Sequence, residues 1–245
     1  MFLALAALTT RFATHIHDMK MKDPVNQYDA DQFVELGPEE LGLMNSSGWR
    51  DDPRRLVITL SRYKFVAKML KGLDKVAEIG CGDGFGARIV RQEVRNLTIT
   101  DYDPVFIDQF TRLQHPKWEI TAKTHDITVA PLEEKVDVIY SLDVLEHIPP
   151  TQEQKFLKNI CLSLQHGGIA VIGMPSLESQ IYASAESKQG HVNCKTAAQL
   201  QDSLKEFFQF VFIFSMNDEV VHTGFHGMAH YLIALCCGCL EEGAR

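Results

Sequence analysis

A glycine-rich segment at residues 76–86 carries the clearest chemical signal in the sequence. A short apolar stretch, Val76–Ile79, leads into glycines at positions 80, 82 and 84. Because glycine has no Cβ, such a turn lets the backbone approach a bound ligand closely. A helical pattern begins at Ala87, and the first amides of that helix would point at the same place. The segment therefore predicts a site for a nucleotide-like cofactor.

The glycine spacing alone leaves the kind of cofactor open. Counted from Gly80, a dinucleotide fingerprint needs glycine where Phe85 stands, but counted from Gly82 a permitted variant ends at Ala87. Glu78 is more informative, because a carboxylate at this place repels a pyrophosphate but tolerates an ammonium and a sulfonium. The segment resembles the first motif of the class I S-adenosylmethionine-dependent methyltransferases, which reads acid-x-Gly-x-Gly-x-Gly.

The resemblance implies S-adenosylmethionine as the cofactor and a set of residues that bind it. Asp101 ends the second predicted strand, 101 − 80 = 21 residues after Gly80, where its carboxylate can accept hydrogen bonds from both ribose hydroxyls. Family members place a further acid and an apolar neighbour at the adenine, and Asp126 and Ile127 match that pattern. The expected cofactor-binding residues are Glu78, Gly80, Cys81, Gly82, Gly84, Asp101, Tyr102, Asp126, Ile127, Ser141 and Leu142.

Histidines are the candidates for acid–base chemistry. Methyl transfer requires acceptor, methyl and sulfur in line, and it needs a general base only when the acceptor carries a proton. His147 follows the fourth predicted strand and His191 lies in a polar loop after the fifth, so both are expected catalytic residues. His222 and His226, in the last hairpin, are further candidates.

The segment Val144–Ile148, which reads Val-Leu-Glu-His-Ile, sharpens the resemblance. It is similar to methyltransferases of the ubiquinone- and menaquinone-biosynthesis type and to many small-molecule relatives. We expect O-methylation of a small molecule. N- or C-methylation on the same fold, or a catalytically inactive protein that binds S-adenosylmethionine, are the alternatives.

Alternating strands and helices must position these residues. Such alternation predicts a parallel sheet with right-handed crossovers. The resemblance covers roughly residues 55–236 and implies an α/β, Rossmann-like fold. Its sheet would have seven mostly parallel strands, an antiparallel last strand and helices on both faces. The patterns Thr151-x-x-Gln154 and Thr196-x-x-Gln199 each predict a capping box at a helix start.

The 245 residues divide into two expected parts. Residues 1–52 form an N-terminal segment and a lid over the cofactor pocket, with 1–18 disordered and 22–50 mainly loop. Residues 53–240 form the methyltransferase domain. Met19 or Met21 is the preferred native start.

Composition narrows the partners. With 24 Lys+Arg against 32 Asp+Glu and no basic run, a nucleic-acid partner is disfavoured. The apolar start is too short to cross a membrane, so the expected partner is a small molecule, and the oligomeric state is open. Six cysteines without framework spacing indicate reduced thiols in the cytoplasm. No metal is expected, because the cysteines at 236, 237 and 239 lack a second ligand pair.

The cofactor assignment is directly testable. We predict that the chain binds S-adenosylhomocysteine and does not bind NAD, because Glu78 suits a cationic cofactor and Asp101 suits a ribose. Isothermal titration calorimetry with both ligands measures this. Micromolar NAD binding together with no response to S-adenosylhomocysteine would refute the assignment.

Overall fold

The computed structural model describes residues 20–240, and the chain divides into two compact units. The first unit ends at Glu40 and contains a 3₁₀ turn, Pro24–Asn26, followed by helix α1, Gln27–Leu36. Helix α1 ends at Gly37, whose φ of 77° lies in the left-handed region that glycine adopts without strain. The expected disorder of residues 1–18 lies outside the described residues.

The second unit begins at Leu41 and is built on one sheet. Its helices are α2 Leu43–Asp51, α3 Arg54–Met69, α4 Ala87–Arg91, α5 Pro104–Leu113, α6 Pro150–Ser163, α7 Ala185–Gly190 and α8 Ala197–Lys205. Its strands are β1 Lys75–Ile79, β2 Asn96–Asp101, β3 Thr121–Thr124, β4 Val136–Leu142, β5 Leu164–Pro175, β6 Phe208–Asn217, β7 Val220–His222 and β8 Tyr231–Cys239. Within residues 20–240, no helix combines the length and apolar character that crossing a bilayer requires.

The sheet has the order β3-β2-β1-β4-β5-β8-β6-β7. Strands β1 to β5 pair in parallel, whereas β8 runs antiparallel to both of its neighbours, β5 and β6. This confirms the Rossmann-like, mostly parallel arrangement. The described part has eight strands rather than seven, because Val220–His222 folds back on the end of β6 as an additional short edge strand.

Both faces of the sheet are covered, as parallel strands require. Successive residues of β4 point to opposite sides: Val138 belongs to the core under α3, α4 and α5, and Ile139 to the core under α6 and α8. Both residues are fully buried. The carboxyl ends of β1, β2 and β4 therefore meet at one edge, where the loops that follow them are brought together.

Two local predictions had different outcomes. The capping box at Thr196 and Gln199 is confirmed: each side chain bonds the other residue's backbone N–H. The box at Thr151 is wrong, since α6 begins at Pro150 and its first turn has no side-chain cap. Proline has the φ that a first helical turn needs, so the helix starts before Thr151 can cap it.

Helix α2 was also missed, because residues 22–50 read as loop. Its sequence contains Asn45 and a Ser-Ser-Gly run, all weak helix formers. The structure shows what compensates: the Asn45 backbone N–H donates to Asp83 Oδ2 at 2.9 Å, and its side-chain amide donates to Asp83 Oδ1 at 2.6 Å. These contacts join the first turn of α2 to the loop after β1.

A buried carboxyl group ties α3, β1 and β4 together. Glu78 is 1% exposed, and its two carboxylate oxygens accept hydrogen bonds from the hydroxyls of Tyr63 and Tyr140, both at 2.8 Å. Burial raises the pKa of Glu78 to about 7, although the two hydroxyl donors oppose this. The carboxyl group therefore gains its proton close to neutral pH.

This raised pKa makes stability depend on pH. Between pH 4.5 and about 7 the folded chain keeps a proton that the unfolded chain has lost, so folding is favoured at the lower pH. We predict that the free energy of unfolding of the wild type, measured relative to Glu78→Gln, falls by on the order of 3 kcal/mol across this window. Urea unfolding of both proteins at several pH values measures this difference.

The comparison with Glu78→Gln cancels the titration of all other groups. A difference that stays constant from pH 4.5 to 7.5 would contradict the raised pKa. Tyr63→Phe is a matched control, because it removes one donor but leaves the carboxyl group in place.

Candidate active site

The glycine turn closes tightly against the ends of two neighbouring strands. The backbone N–H groups of Gly80 and Cys81 donate to the carbonyl oxygen of Thr100, at 2.8 and 3.0 Å, which binds the turn to β2. Gly80 has a φ of 76°, and a Cβ there would lie 2.3 Å from a methyl group of Val144, directly after β4. Only glycine permits this approach, so the sequence at position 80 sets the distance between the β1 and β4 loops.

Asp101 lies at the same edge, at the end of β2. Its Oδ2 accepts a hydrogen bond from the Gly82 N–H at 2.9 Å, and its Oδ1 accepts from the Asp103 N–H at 3.0 Å. Burial raises the pKa of Asp101, whereas these backbone donors lower it. Each carboxylate oxygen can accept more than one hydrogen bond, so the pair can still receive ribose hydroxyls. Tyr102 follows directly and is 74% exposed.

Helix α2 lies against the glycine turn. Besides the bonds between Asn45 and Asp83, the sulfur of Met44 would lie only 2.8 Å from a Cβ built at Gly82. The Leu43 backbone N–H, at the start of the helix, donates to the side chain of Gln109 at 2.8 Å. Residues 43–51 thus cover the place where the expected cofactor would meet the backbone.

The other expected cofactor residues occupy different environments. Asp126 is exposed and begins a turn, since its Oδ1 accepts from the N–H and hydroxyl of Thr128 at 2.8 and 2.6 Å. Ile127, by contrast, is 4% exposed and packs in the core. The His125 N–H donates to the carbonyl of Asp101 at 2.8 Å, which places this turn beside the end of β2.

Three further expected residues are buried at the ends of β1 and β4. The hydroxyl of Ser141 donates to the carbonyl of Ile79 at 3.0 Å, and Leu142 belongs to the core. Cys81 is also buried, and burial raises the pKa of its thiol, so it is a neutral group at this edge. These side chains shape the base of the turn.

The two expected catalytic histidines lie together. The rings of His147 and His191 are 5.1 Å apart between centroids at an angle of 71°. His147 Nδ1 is 3.0 Å from the carbonyl oxygen of Gly190, and His191 Nδ1 is 2.8 Å from Oε1 of Gln180. Both acceptors are oxygens, so each Nδ1 carries the hydrogen and each Nε2 keeps its lone pair. Burial and the nearby His147 lower the pKa of His191, which keeps its ring neutral at pH 7.

His222 and His226 do not join this pair. His226 Nδ1 contacts the hydroxyl of Ser215 at 2.7 Å, and His222 Nε2 contacts Oδ1 of Asn217 at 2.9 Å, both within the terminal hairpin. A cleft of about 450 Å³ beside this hairpin is lined by residues of α8 and β6, together with Thr223 and His226, and not by the glycine turn.

The sequence interpretation missed three charged side chains at this edge. Arg62, on α3, donates to both carboxylate oxygens of Asp143 at 2.7 and 2.6 Å, and its guanidinium lies 3.7 Å from the ring centroid of Tyr231. Asp143 adopts a left-handed φ of 58°, uncommon for a non-glycine residue. Glu146 is 1% exposed, and burial raises its pKa well above the ordinary value, with nearby Asp143 adding to the effect.

A signal for two of these residues was present in the sequence. Asp143 and Glu146 stand four and one positions before His147, in a segment where only the histidine had been given a chemical role. Arg62 carried no comparable signal, because it reads as one of several basic residues on an amphipathic helix.

Comparison with known proteins agrees with this architecture. A family model described as a methyltransferase domain matches residues 76–168. A protein from Mycolicibacterium smegmatis, described as an S-adenosylmethionine-dependent methyltransferase, is 28% identical over 115 residues. The matched part covers 46% of this chain and 42% of that relative, so the chain spans less than half of the relative's length.

Two solved structures show the same fold at low sequence identity. The N-methyltransferase NodS from Bradyrhizobium japonicum, in complex with S-adenosylhomocysteine, has a TM-score of 0.60 and 20% identity, covering 81% of this chain and 94% of NodS. Magnesium protoporphyrin IX methyltransferase from Synechocystis PCC 6803, also with bound S-adenosylhomocysteine, has a TM-score of 0.54 and 14% identity. It covers 87% of this chain and is itself covered to 95%.

The family match includes the glycine turn, Asp101 and both strands that carry the site. The sheet order and the fold likeness extend this agreement well beyond the matched residues. The chain belongs to the class I S-adenosylmethionine-dependent methyltransferases.

Proposed function

We propose that this protein transfers a methyl group from S-adenosylmethionine to a hydroxyl of a small molecule. The observation that carries the choice of a hydroxyl is the pair of histidines, each with Nδ1 hydrogen-bonded to a carbonyl-type oxygen and Nε2 able to take a proton. They follow β4 and β5 in the chain, so they belong to the carboxyl edge where open α/β sheets bind ligands.

The cofactor would bind at the glycine turn. Asp101 would accept the ribose hydroxyls, Tyr102 would pack on the adenine, and Asp126 would bond the adenine amino group. Helix α2 supports the lid role predicted for residues 1–52, because it already bonds Asp83 in the turn. Residues 53–240 would form the methyltransferase domain, and a cytoplasmic location stays a prediction from cysteine usage.

The residues of this chain would act mainly by position. The bound sulfonium supplies the methyl group, and the protein must hold acceptor oxygen, methyl carbon and sulfur in line and keep water out. His147 or His191 would accept the hydroxyl proton at Nε2 as the oxygen attacks. The lowered pKa of His191 suits this task, because a base must be unprotonated at the working pH.

N-methylation is the second candidate. The similar structure of NodS is that of an N-methyltransferase, and an amine that arrives deprotonated needs no base. C-methylation and a catalytically inactive binding protein remain alternatives that the acceptor assay below separates from O-methylation.

The assay is release of S-adenosylhomocysteine in the presence of a panel of phenols, sugars and amines. With a hydroxyl acceptor, we predict that His147→Gln or His191→Gln lowers kcat by about 10²–10⁴-fold, since positioned proton transfer contributes that much. Turnover should also fall as the pH drops below the histidine pKa, which for His191 is held under its usual 6.5.

Calorimetry with S-adenosylhomocysteine provides the control. Its affinity should stay nearly constant in both variants, because the histidines contact the acceptor and not the cofactor. Wild-type turnover in both variants would contradict the catalytic assignment, and turnover with amines alone would support the second candidate.

A further inference from the structure

We propose that Glu146, His147 and His191 bind a divalent transition-metal ion. One ring nitrogen of each histidine and one carboxylate oxygen of Glu146 all lie within 4.8 Å of one another. Ligands that share one ion at about 2.1 Å lie at most about 4.2 Å apart. Side-chain movements of less than about 1 Å therefore close the three groups around an ion. The proposal revises the expectation, from sequence, that the protein has no metal site.

The state of Glu146 is the first independent observation. Its side chain is buried, and neither carboxylate oxygen has a hydrogen-bond partner among residues 20–240. A buried polar group without a partner costs about 1–3 kcal/mol, and more when it is charged. Glu78, the other buried acid at this end of the sheet, has two hydroxyl donors. A bound cation would supply what Glu146 lacks.

The hydrogen bonds of the two histidines are the second. Histidines that bind metals almost always donate their other ring N–H to a carbonyl or carboxylate, which fixes the ring and frees the ligating nitrogen. His147 donates to the carbonyl of Gly190, and His191 donates to the side-chain carbonyl of Gln180. The Gln180 amide is oriented by its Nε2, which donates to the carbonyl of Ser176 at 3.2 Å.

The backbone holds the ligands in register. The carbonyl oxygen of Glu146 accepts hydrogen bonds from the N–H groups of Val192 and Asn193, at 2.8 and 3.0 Å. The segment that carries His191 is thus fastened directly to the residue that carries the third ligand. The buried Asn193 side chain donates to Glu153 at 2.8 Å, and Lys195 pairs with the same carboxylate at 2.9 Å.

The ligand set indicates the class of ion. Two imidazoles and one carboxylate favour first-row ions such as Mn²⁺, Fe²⁺, Co²⁺ or Zn²⁺ over Mg²⁺ or Ca²⁺, which prefer oxygen ligands. Three protein ligands leave coordination positions open for a substrate atom. His147 is exposed, so these positions can be reached from solvent.

A role for the ion rests on the proposed O-methylation. An acceptor hydroxyl bound at an open position would lose its proton to water more readily, because the cation stabilises the alkoxide. The oxygen electron pair would then form the bond to the methyl carbon, while the carbon–sulfur bond breaks and its electron pair stays on sulfur. The products are a methyl ether and a neutral thioether. In this scheme the histidines hold the ion and do not act as bases.

Direct Mn²⁺ binding tests the site without substrate or cofactor. The full chain, stripped with EDTA and dialysed, is titrated with Mn²⁺ while electron paramagnetic resonance measures the free ion. We expect one ion per chain. Glu146→Gln, His147→Gln and His191→Gln should each weaken binding by at least about 10-fold, and Gln180→Leu, which removes only the partner of His191, by about 10-fold.

His166→Gln is the matched control, because His166 is exposed near the start of β5, at the opposite end of the strand. Circular dichroism and S-adenosylhomocysteine calorimetry show that each variant is folded. Absence of saturable binding by the folded wild type, or equal affinity in all three ligand variants, overturns the proposal. Metal binding without any methyl transfer would refute the O-methylation alone, whereas transfer that persists in EDTA without metal binding would refute the metal role alone.

Discussion

The hydrogen bonds of Glu78 to Tyr63 and Tyr140 are the constraint from which the site follows. A carboxyl group buried at the centre of a sheet is costly unless its oxygens are bonded, and here each oxygen has a hydroxyl donor from a different element. One donor fixes α3 and the other fixes β4 relative to β1. Arg62 precedes Tyr63 on α3 and pairs with Asp143 directly after β4, so the same three elements that share Glu78 also position the charged groups at the carboxyl edge.

The edge is crowded because glycine allows it. The turn after β1 passes so close to Val144 that a Cβ at position 80 would overlap a methyl group. This contact places the segment Asp143–His147 beside the cofactor turn. The loop with His191 is then bonded to the backbone of Glu146. Two segments 44 positions apart in sequence (191 − 147 = 44) thereby become one cluster.

Much of the fold was predictable because its signals are local. The glycine turn, the β-branched strands and the Thr196 capping box each depend on a few neighbouring residues, and these predictions are confirmed. Helix α2 was not predictable, since its stability comes from Asp83, 38 residues after Asn45 (83 − 45 = 38). The proximity of His147 and His191 followed from strand order. Their hydrogen-bond partners and the unpartnered Glu146 could not be deduced, because loop conformations set them.

The base and the metal ligand are competing uses of the same two nitrogens. A base must release its nitrogen lone pair to a proton in every turnover, whereas a ligand must keep it directed at the ion. The hydrogen bonds to Gly190 and Gln180 serve either role, since both fix the ring and leave Nε2 unprotonated. Glu146 distinguishes them. A base pair of histidines gives no reason to bury a third carboxyl group without partners beside it, whereas a cation provides one. The environment of Glu146 therefore favours a metal-held acceptor over a histidine base.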